Sequence, residues 1–417
     1  MKLRTLTATL ACAWPALLAA QASETQIYGT FLPFLDHIKT SGATAPGLSP
    51  TTGGATQVAA SAYTGDAGNL AARNRMTSGT SNLGFRGSFK VSDDLKIIWQ
   101  IESAVSPDGD APNSLTSRNS CLGLEGPWGR VFYGNWDTPY KYPILFVGAL
   151  RGLNPFDNAL TANPGFNVPG TTTQNGRVNG KADAAFNRRQ GNSIQYWSPE
   201  VNGFSGRVAY SVNEGKTTAS ATVPSISPEL YSALLSYKRG AFTLSYGYEQ
   251  HKDYFGLAQL GGSAGATPTN ASSRDVAHEL VGSYAFPTGT KVSAIVERLT
   301  YDTDDTVDGK ANHYERDAWY VLVQQRWAKH QLFGAYGKAA AGSVTVVGGG
   351  PATTNGLGGA QWSAGYSYSL AKSADLYASV YGMTNERSAS YALFPPVGTV
   401  APGASTTGFG LGILYTF

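Results

Sequence analysis

The chain has 417 residues, with about 12% glycine, 12% aromatic residues and only 14% charged residues, against roughly 7% glycine and roughly 25% charge in soluble domains. A mean hydropathy of -0.19 with so few charges and so many rings describes segments that alternate their faces. It excludes collagen, which needs Gly at every third position, and disorder, which needs few aromatics and high net charge. The formal charge of +3 is small for the length, so no nucleic-acid partner is expected.

Lys2 and Arg4 precede an apolar stretch from Leu6 to Ala20, and Ala20-Gln21-Ala22 gives a small-x-small cleavage site. This is the three-part pattern of a secretory signal over residues 1–22, with the mature chain, 23–417, beginning at Ser23. Loss of Lys2 and Arg4 leaves 29 basic against 28 acidic residues. Cys12 leaves with the signal and Cys121 remains alone, so neither an internal disulfide nor a cysteine zinc site is expected. No later run of 18 apolar residues offers a transmembrane helix. An exported chain can still enter a membrane as a closed barrel.

Period-two alternation dominates the mature chain. Phe409, Leu411, Ile413, Tyr415 and Phe417 share one parity, and Trp362, Ala364, Tyr366, Tyr368 and Leu370 another such row. Phe242, Leu244, Tyr246 and Tyr248 form a third, Phe204, Val208, Tyr210 and Val212 a fourth, and Trp319, Val321 and Val323 a fifth ending at Trp327. Sixteen strands are predicted, at 26–37, 80–90, 95–104, 118–125, 129–136, 189–198, 204–213, 229–239, 241–251, 276–286, 290–302, 314–327, 329–340, 360–370, 374–385 and 407–417. Boundary placement leaves 14 or 18 as alternatives. A water-soluble sandwich also alternates, so connection lengths carry the distinction. Seven short, polar or Gly-rich turns take strict turns with eight long connections, 38–79, 105–117, 137–188, 214–228, 252–276, 303–314, 341–360 and 386–406. One trim rim and one decorated rim are the mark of a transmembrane barrel. The fold class expected is therefore all-β, a 16-stranded antiparallel transmembrane barrel.

Trp319 and Trp327 lie eight residues apart, a depth of roughly 20 Å at the usual rise and tilt, which suits two interfacial girdles. The opposite parity carries Lys96, Gln100, Glu102, Arg207, Lys291, Glu297 and Asp375. Such charges are prohibitive in a packed core and ordinary around water. Sixteen strands enclose a space too wide for side chains to fill, so an aqueous lumen is expected.

Several segments resemble the general porins of Gram-negative bacteria, in the beta-proteobacterial form. Asn82-Leu83-Gly84-Phe85-Arg86-Gly87 is similar to their second-strand motif, Leu122-Gly123-Leu124-Glu125-Gly126-Pro127-Trp128-Gly129 to their next hairpin, and Gly134-Asn135-Trp136-Asp137-Thr138-Pro139 to the exit into their third loop. Asn192-Ser193-Ile194-Gln195-Tyr196 before Gly203-Phe204, the opening Tyr28-Gly29 and the closing Tyr415-Thr416-Phe417 extend the likeness over essentially all of the mature chain. The resemblance implies a homotrimer in the outer membrane, surrounded by its lipids and lipopolysaccharide, with Phe417 as the terminal signal for outer-membrane assembly machinery. It implies that loop 137–188 folds into the barrel and faces a ladder of basic side chains. Arg86, Arg118, Arg188 and Arg189 stand at ladder positions, while Asn82 and Asn135 replace positive charge at two others. Pro155-Phe156-Asp157-Asn158 loosely resembles the loop's acidic turn, which makes Asp157 the candidate acid. Charges from Asp137 to Arg188 sum to +2, with Asp137, Asp157 and Asp183 against Lys141, Arg151, Arg177, Lys181 and Arg188. Weak selectivity leaning to anions is expected.

Other motifs fail on spacing. His37, His251, His278, His313 and His330 lack zinc spacing and read as surface histidines. Gly215-Lys216-Thr217 has Tyr210 where a phosphate loop needs glycine. Asp302-Thr303-Asp304-Asp305 with Asp308 lacks the EF-hand pattern, and no serine sits in a nucleophile elbow. No catalytic residue, cofactor or metal is expected. The function implied is passive diffusion of small hydrophilic solutes and ions. A substrate-selective channel is the nearest rival, ahead of a barrel adhesin or hydrolase.

Overall fold

The structure, a computed structural model, describes residues 24–44, 69–109, 115–148, 160–166, 185–212, 216, 218, 219, 225–260, 272–350, 352–393 and 400–417. Residues 1–22, the expected signal, lie outside them. In chain order the strands are β1 (Glu24–Phe31), β2 (Phe34–Ser41), β3 (Arg73–Thr77), β4 (Asn82–Ser92), β5 (Leu95–Ala104), β6 (Ser120–Gly126) and β7 (Gly129–Asp137). After helix α1 (Lys141–Gly148) come β8 (Arg189–Trp197), β9 (Phe204–Ser211), β10 (Glu229–Arg239), β11 (Phe242–Lys252), β12 (Ser273–Ala285) and β13 (Thr290–Thr303). The last are β14 (Ala311–Trp327), β15 (His330–Ala339), β16 (Ser343–Val346), β17 (Gly359–Ala371), β18 (Ala374–Asn385) and β19 (Ser405–Thr416).

These segments form sixteen antiparallel staves. β1 and β2 are one stave interrupted at Leu32 and Pro33, and β3 and β4 are the next, interrupted at 78–81. Pro33 has no N–H to give the ladder. The Ser81 hydroxyl mends part of the gap by accepting from the Leu32 N–H at 2.8 Å. Gly79 has a φ of +57°, and a Cβ there would meet the Leu32 carbonyl oxygen at 2.4 Å, so only glycine fits the crossing. β16 is a short return paired with the upper end of β14. Pairing of Thr30 with Thr416 and Phe31 with Tyr415 closes the barrel.

The alternation predicted from sequence is the alternation observed. Leu122, Tyr133, Val208, Phe409 and Leu411 point outward and exposed, while Ser193, Ala209, Ser379 and Glu297 point inward. Strands at 95–104, 229–239 and 374–385 start and stop where expected. β3, β16 and α1 are additions to the expected elements. All seven tight turns fall on one rim, so both termini of the sheet lie on that side.

Part of the lumen is filled rather than open. Tyr140, Ile144, Leu160, Ala162 and Phe186, all from the connection between β7 and β8, form one apolar cluster with Tyr301, Tyr314, Tyr320 and Leu322 of β13 and β14. Phe166 closes on Tyr301 and Tyr314 with ring centres 5.8 and 5.2 Å away. Ser390, in the last long connection, donates its N–H to the Gly165 carbonyl at 2.8 Å.

Candidate pore constriction

The connection from β7 to β8 leaves the wall at Asp137 and returns at Arg189, cross-strand partners at the top of the two strands. A polar network fixes this root. Asp137 takes Arg189 at 3.2 Å and Lys141 at 3.0 Å. Asn119 donates to Asp137 at 2.9 Å and accepts from the Arg189 Nε at 2.5 Å. Arg118 meets Glu102 at 2.5 Å, and Asn135 donates to the Arg118 carbonyl at 3.2 Å. Three residues expected on the constriction wall, Arg118, Asn135 and Arg189, are thus brought together.

Asn82 and Arg188 stand apart, while Arg86 reaches the same network through Tyr28, whose hydroxyl donates to Glu102 at 2.9 Å. Asn82 sits at the start of β4 and donates to the Thr80 carbonyl at 3.3 Å. Arg86, further along the same inward face, donates to Gln26 at 2.9 Å and lies over the Tyr28 ring at 4.8 Å. Arg188 is buried, with its guanidinium 4.9 Å from the Tyr254 ring centre. Arg151 and Asp157 lie outside the described residues.

No sequence motif announces what holds the loop inside. Glu297 on β13 and Arg316 on β14 form a fully buried ion pair at 2.9 Å. The other Glu297 oxygen accepts from the Tyr140 hydroxyl at 2.9 Å and from the Ala162 N–H. Arg316 donates to the carbonyls of Leu160, at 3.2 Å, and Asn163. Desolvation and the adjacent Glu297 carboxylate push the Tyr140 phenol well above its ordinary range, so it stays a donor. Tyr140 also donates its N–H to Ser232 of β10 at 3.0 Å. Phe186 stacks on His251 at 4.3 Å, and His251 contacts Glu249 at 2.9 Å. His251 is therefore buried, against the surface position expected for the histidines. The inward parity of Glu297 is legible in sequence, but its partners lie on another strand and on a loop more than a hundred residues away.

A second inward cluster sits on β7, β8 and β9. The Arg207 guanidinium carbon lies 3.3 Å from the Tyr142 ring centre and 3.9 Å from that of Trp197. Phe132 and Trp136 pack on the same indole at 5.3 and 5.8 Å. Across the lumen wall, Arg75 pairs with Asp36 at 2.6 Å, and the Tyr381 hydroxyl donates to the same carboxylate. The aspartates of 302–308 do not converge on one point. Asp302 contacts His313 at 2.6 Å and Asp305 contacts Lys310 at 3.3 Å, both closing the loop between β13 and β14.

The chain is similar to the major outer membrane protein P.IA of Neisseria meningitidis serogroup A, 29% identical over 240 residues, covering 51% of this chain and 55% of that one. It is also similar to P.IB of the same organism, at 28% over 175 residues, 42% of this chain and 44% of that one. The chain spans about half the length of these relatives. Among solved structures, an anion-selective porin from Comamonas acidovorans superposes with a TM-score of 0.66 at 17% identity, covering 95% of this chain and 100% of that one. The model of the family described as Gram-negative porin matches residues 6–388. With that match running over nearly the whole of a closed sixteen-stranded barrel, the chain belongs to the Gram-negative porins.

Proposed function

We propose that the protein is a water-filled channel of the outer membrane through which small hydrophilic solutes and ions diffuse passively. Its family is one of channels, not enzymes. The observation that carries the reading is the Glu297–Arg316 latch, which ties Tyr140, Leu160, Ala162 and Asn163 to the inner wall. A loop bound inside a barrel with charged inner rows narrows the water path.

Arg86, Arg118 and Arg189 are the proposed basic wall of the narrowing, with Arg188 behind it and Asn82 and Asn135 as neutral positions. Asp157 and Arg151 are the proposed loop charges. Since Arg118 and Arg189 are each compensated by a carboxylate, the resulting preference is mild and leans to anions. The working assembly is a homotrimer, as one solved relative of the fold, OmpT of Vibrio cholerae, is described in a trimer form. Residues 1–22 are the proposed signal, lipopolysaccharide and membrane lipids the surroundings, and Phe417 the proposed handle for the assembly machinery.

Planar-bilayer conductance of the refolded mature chain, with KCl unequal across the membrane, tests this. Insertions in multiples of three, with a small reversal potential of anionic sign, are expected. Clear cation preference would reject the charge assignment and keep the channel. A folded, heat-modifiable barrel that does not conduct would sink the channel.

A further inference from the structure

Tryptophans on this barrel face outward with few exceptions. Trp319 and Trp327 are exposed, and Trp99 and Trp362 share a parity with the outward Ile101 and Tyr366. That is where indole gains most, half in hydrocarbon and half in the interface. Trp136 and Trp197 do the opposite and point into the lumen, each half-buried. They stand on neighbouring strands with Phe132, in tilted and edge-on contacts at 5.0 to 5.8 Å. Tyr142 of α1 joins them at 6.2 Å from Trp197. The cluster rises along the inner wall from the short-turn rim, where Trp197 ends β8, to the loop root, where Trp136 precedes Asp137.

Two arginines are set among these rings. Arg207 lies between Tyr142 and Trp197, and Arg130 stands 5.4 Å from the Trp197 ring centre, with Glu125 at 3.1 Å as its counter-ion. Among the described residues no carboxylate pairs with Arg207, unlike Arg75, Arg118, Arg189 and Arg316. Its neighbours hold it by their π faces and by a hydrogen bond with Tyr142, which fix a guanidinium while leaving its charge uncancelled. Anchoring of α1 accounts for Tyr142 and for the buried Phe132. It does not account for Trp136, whose indole N–H has no acceptor among the described residues and whose ring is only partly covered.

We propose that this wall is an affinity site for planar aromatic carboxylates. The ring of such a solute stacks against the indole edge of the cluster, and its carboxylate meets the Arg207 and Arg130 guanidiniums. The inference rests on the channel reading and gives it a favoured solute class. A solute that is an anion but not planar, or planar but not an anion, satisfies one half of the site only.

Benzoate is the probe, with cyclohexanecarboxylate and acetate as controls of equal charge, added to the intact channel in a KCl bilayer. Benzoate should reduce KCl current along a saturating curve, while the two controls change it only in proportion to concentration. Trp136→Leu should leave KCl conductance within the native range and weaken benzoate half-saturation about fivefold, the scale of one ring or cation contact. Arg207→Gln should weaken it similarly. Tyr142→Leu serves if a wall variant fails to fold. Equal behaviour of benzoate and cyclohexanecarboxylate in the native channel would overturn the proposal, as would unchanged benzoate saturation in the folded Trp136→Leu variant. Absence of any KCl current would instead overturn the channel itself.

Discussion

Glu297 and Arg316 are both fully buried, and together they satisfy the Tyr140 hydroxyl, the Ala162 N–H and the carbonyls of Leu160 and Asn163 as well as each other. Breaking such a pair from one side leaves a buried charge without its counter-charge, at a cost of about 3–5 kcal/mol. Glu297→Gln should therefore release the loop before it unfolds the barrel, because the strands keep their own ladders. A larger single-channel conductance with preserved heat-modifiability is expected, and an unchanged conductance would show that the aromatic contacts of Phe166 and Phe186 hold the loop alone. The pair Glu297→Leu with Arg316→Met should recover much of the stability, since apolar replacement of both partners is often neutral. It should not recover the native conductance, because the Ala162 N–H and the Leu160 carbonyl lose their partners. At the loop root the relevant charge is Arg118, clamped by Glu102. Arg118→Ala leaves that carboxylate facing the lumen, so the KCl reversal potential should move toward cations. No movement would remove Arg118 from the ion path.

At the scale of the strand, what is legible in sequence is what one strand dictates by itself. Outward rows such as Phe409, Leu411, Ile413 and Tyr415 repeat every second residue, and the polar turns between them set where each stave stops. β3 escapes because Arg73–Thr77 has one apolar residue, Met76, and lies inside the long connection expected at 38–79. The latch and the Arg207 sandwich escape for a different reason. Both depend on pairing between staves and on where the loop lands, which no single strand encodes. Cross-strand fit also decides the glycines. Tyr320 of β14 lies across Gly337 of β15, its cross-strand partner, and a Cβ at that glycine would sit 2.3 Å from the ring. Gly337→Val forces the fully buried Tyr320 ring out of its place beside the loop cluster. Overpacking of this kind costs roughly 1–3 kcal/mol. A lower temperature for the heat-modifiable shift on electrophoresis is expected. Gly334→Val, on the outward parity of the same strand where nothing lies within 4 Å, should leave it unchanged.

The whole barrel has a high side and a low side. β14 has 17 residues and β13 has 14, whereas β6 has 7 and β9 has 8. With a rise of about 3.3 Å per residue and a tilt near 40°, β6 reaches only about 18 Å while β14 reaches about 43 Å. The apolar band of an outer-membrane barrel is about 25 Å tall. The high wall therefore spans it with polar residues to spare, and the low wall falls short. The low wall is nonetheless apolar outside, with Leu122, Leu124, Val131, Tyr133 and Ile194 all exposed. A wall too short for lipid and too apolar for water is stable against another wall of the same height, which a second copy of the chain supplies by symmetry. If the trimer is built on this side, Leu122→Lys places a charge in the contact between copies and should convert trimers to folded monomers on unheated electrophoresis. Val323→Lys is the matching change on the high wall, midway between the Trp319 and Trp327 girdles. There a lysine meets hydrocarbon and should cost about 2–4 kcal/mol of barrel stability, while the trimer persists. Should Leu122→Lys leave the trimer intact, the low wall faces thinned lipid instead, and the copies meet elsewhere.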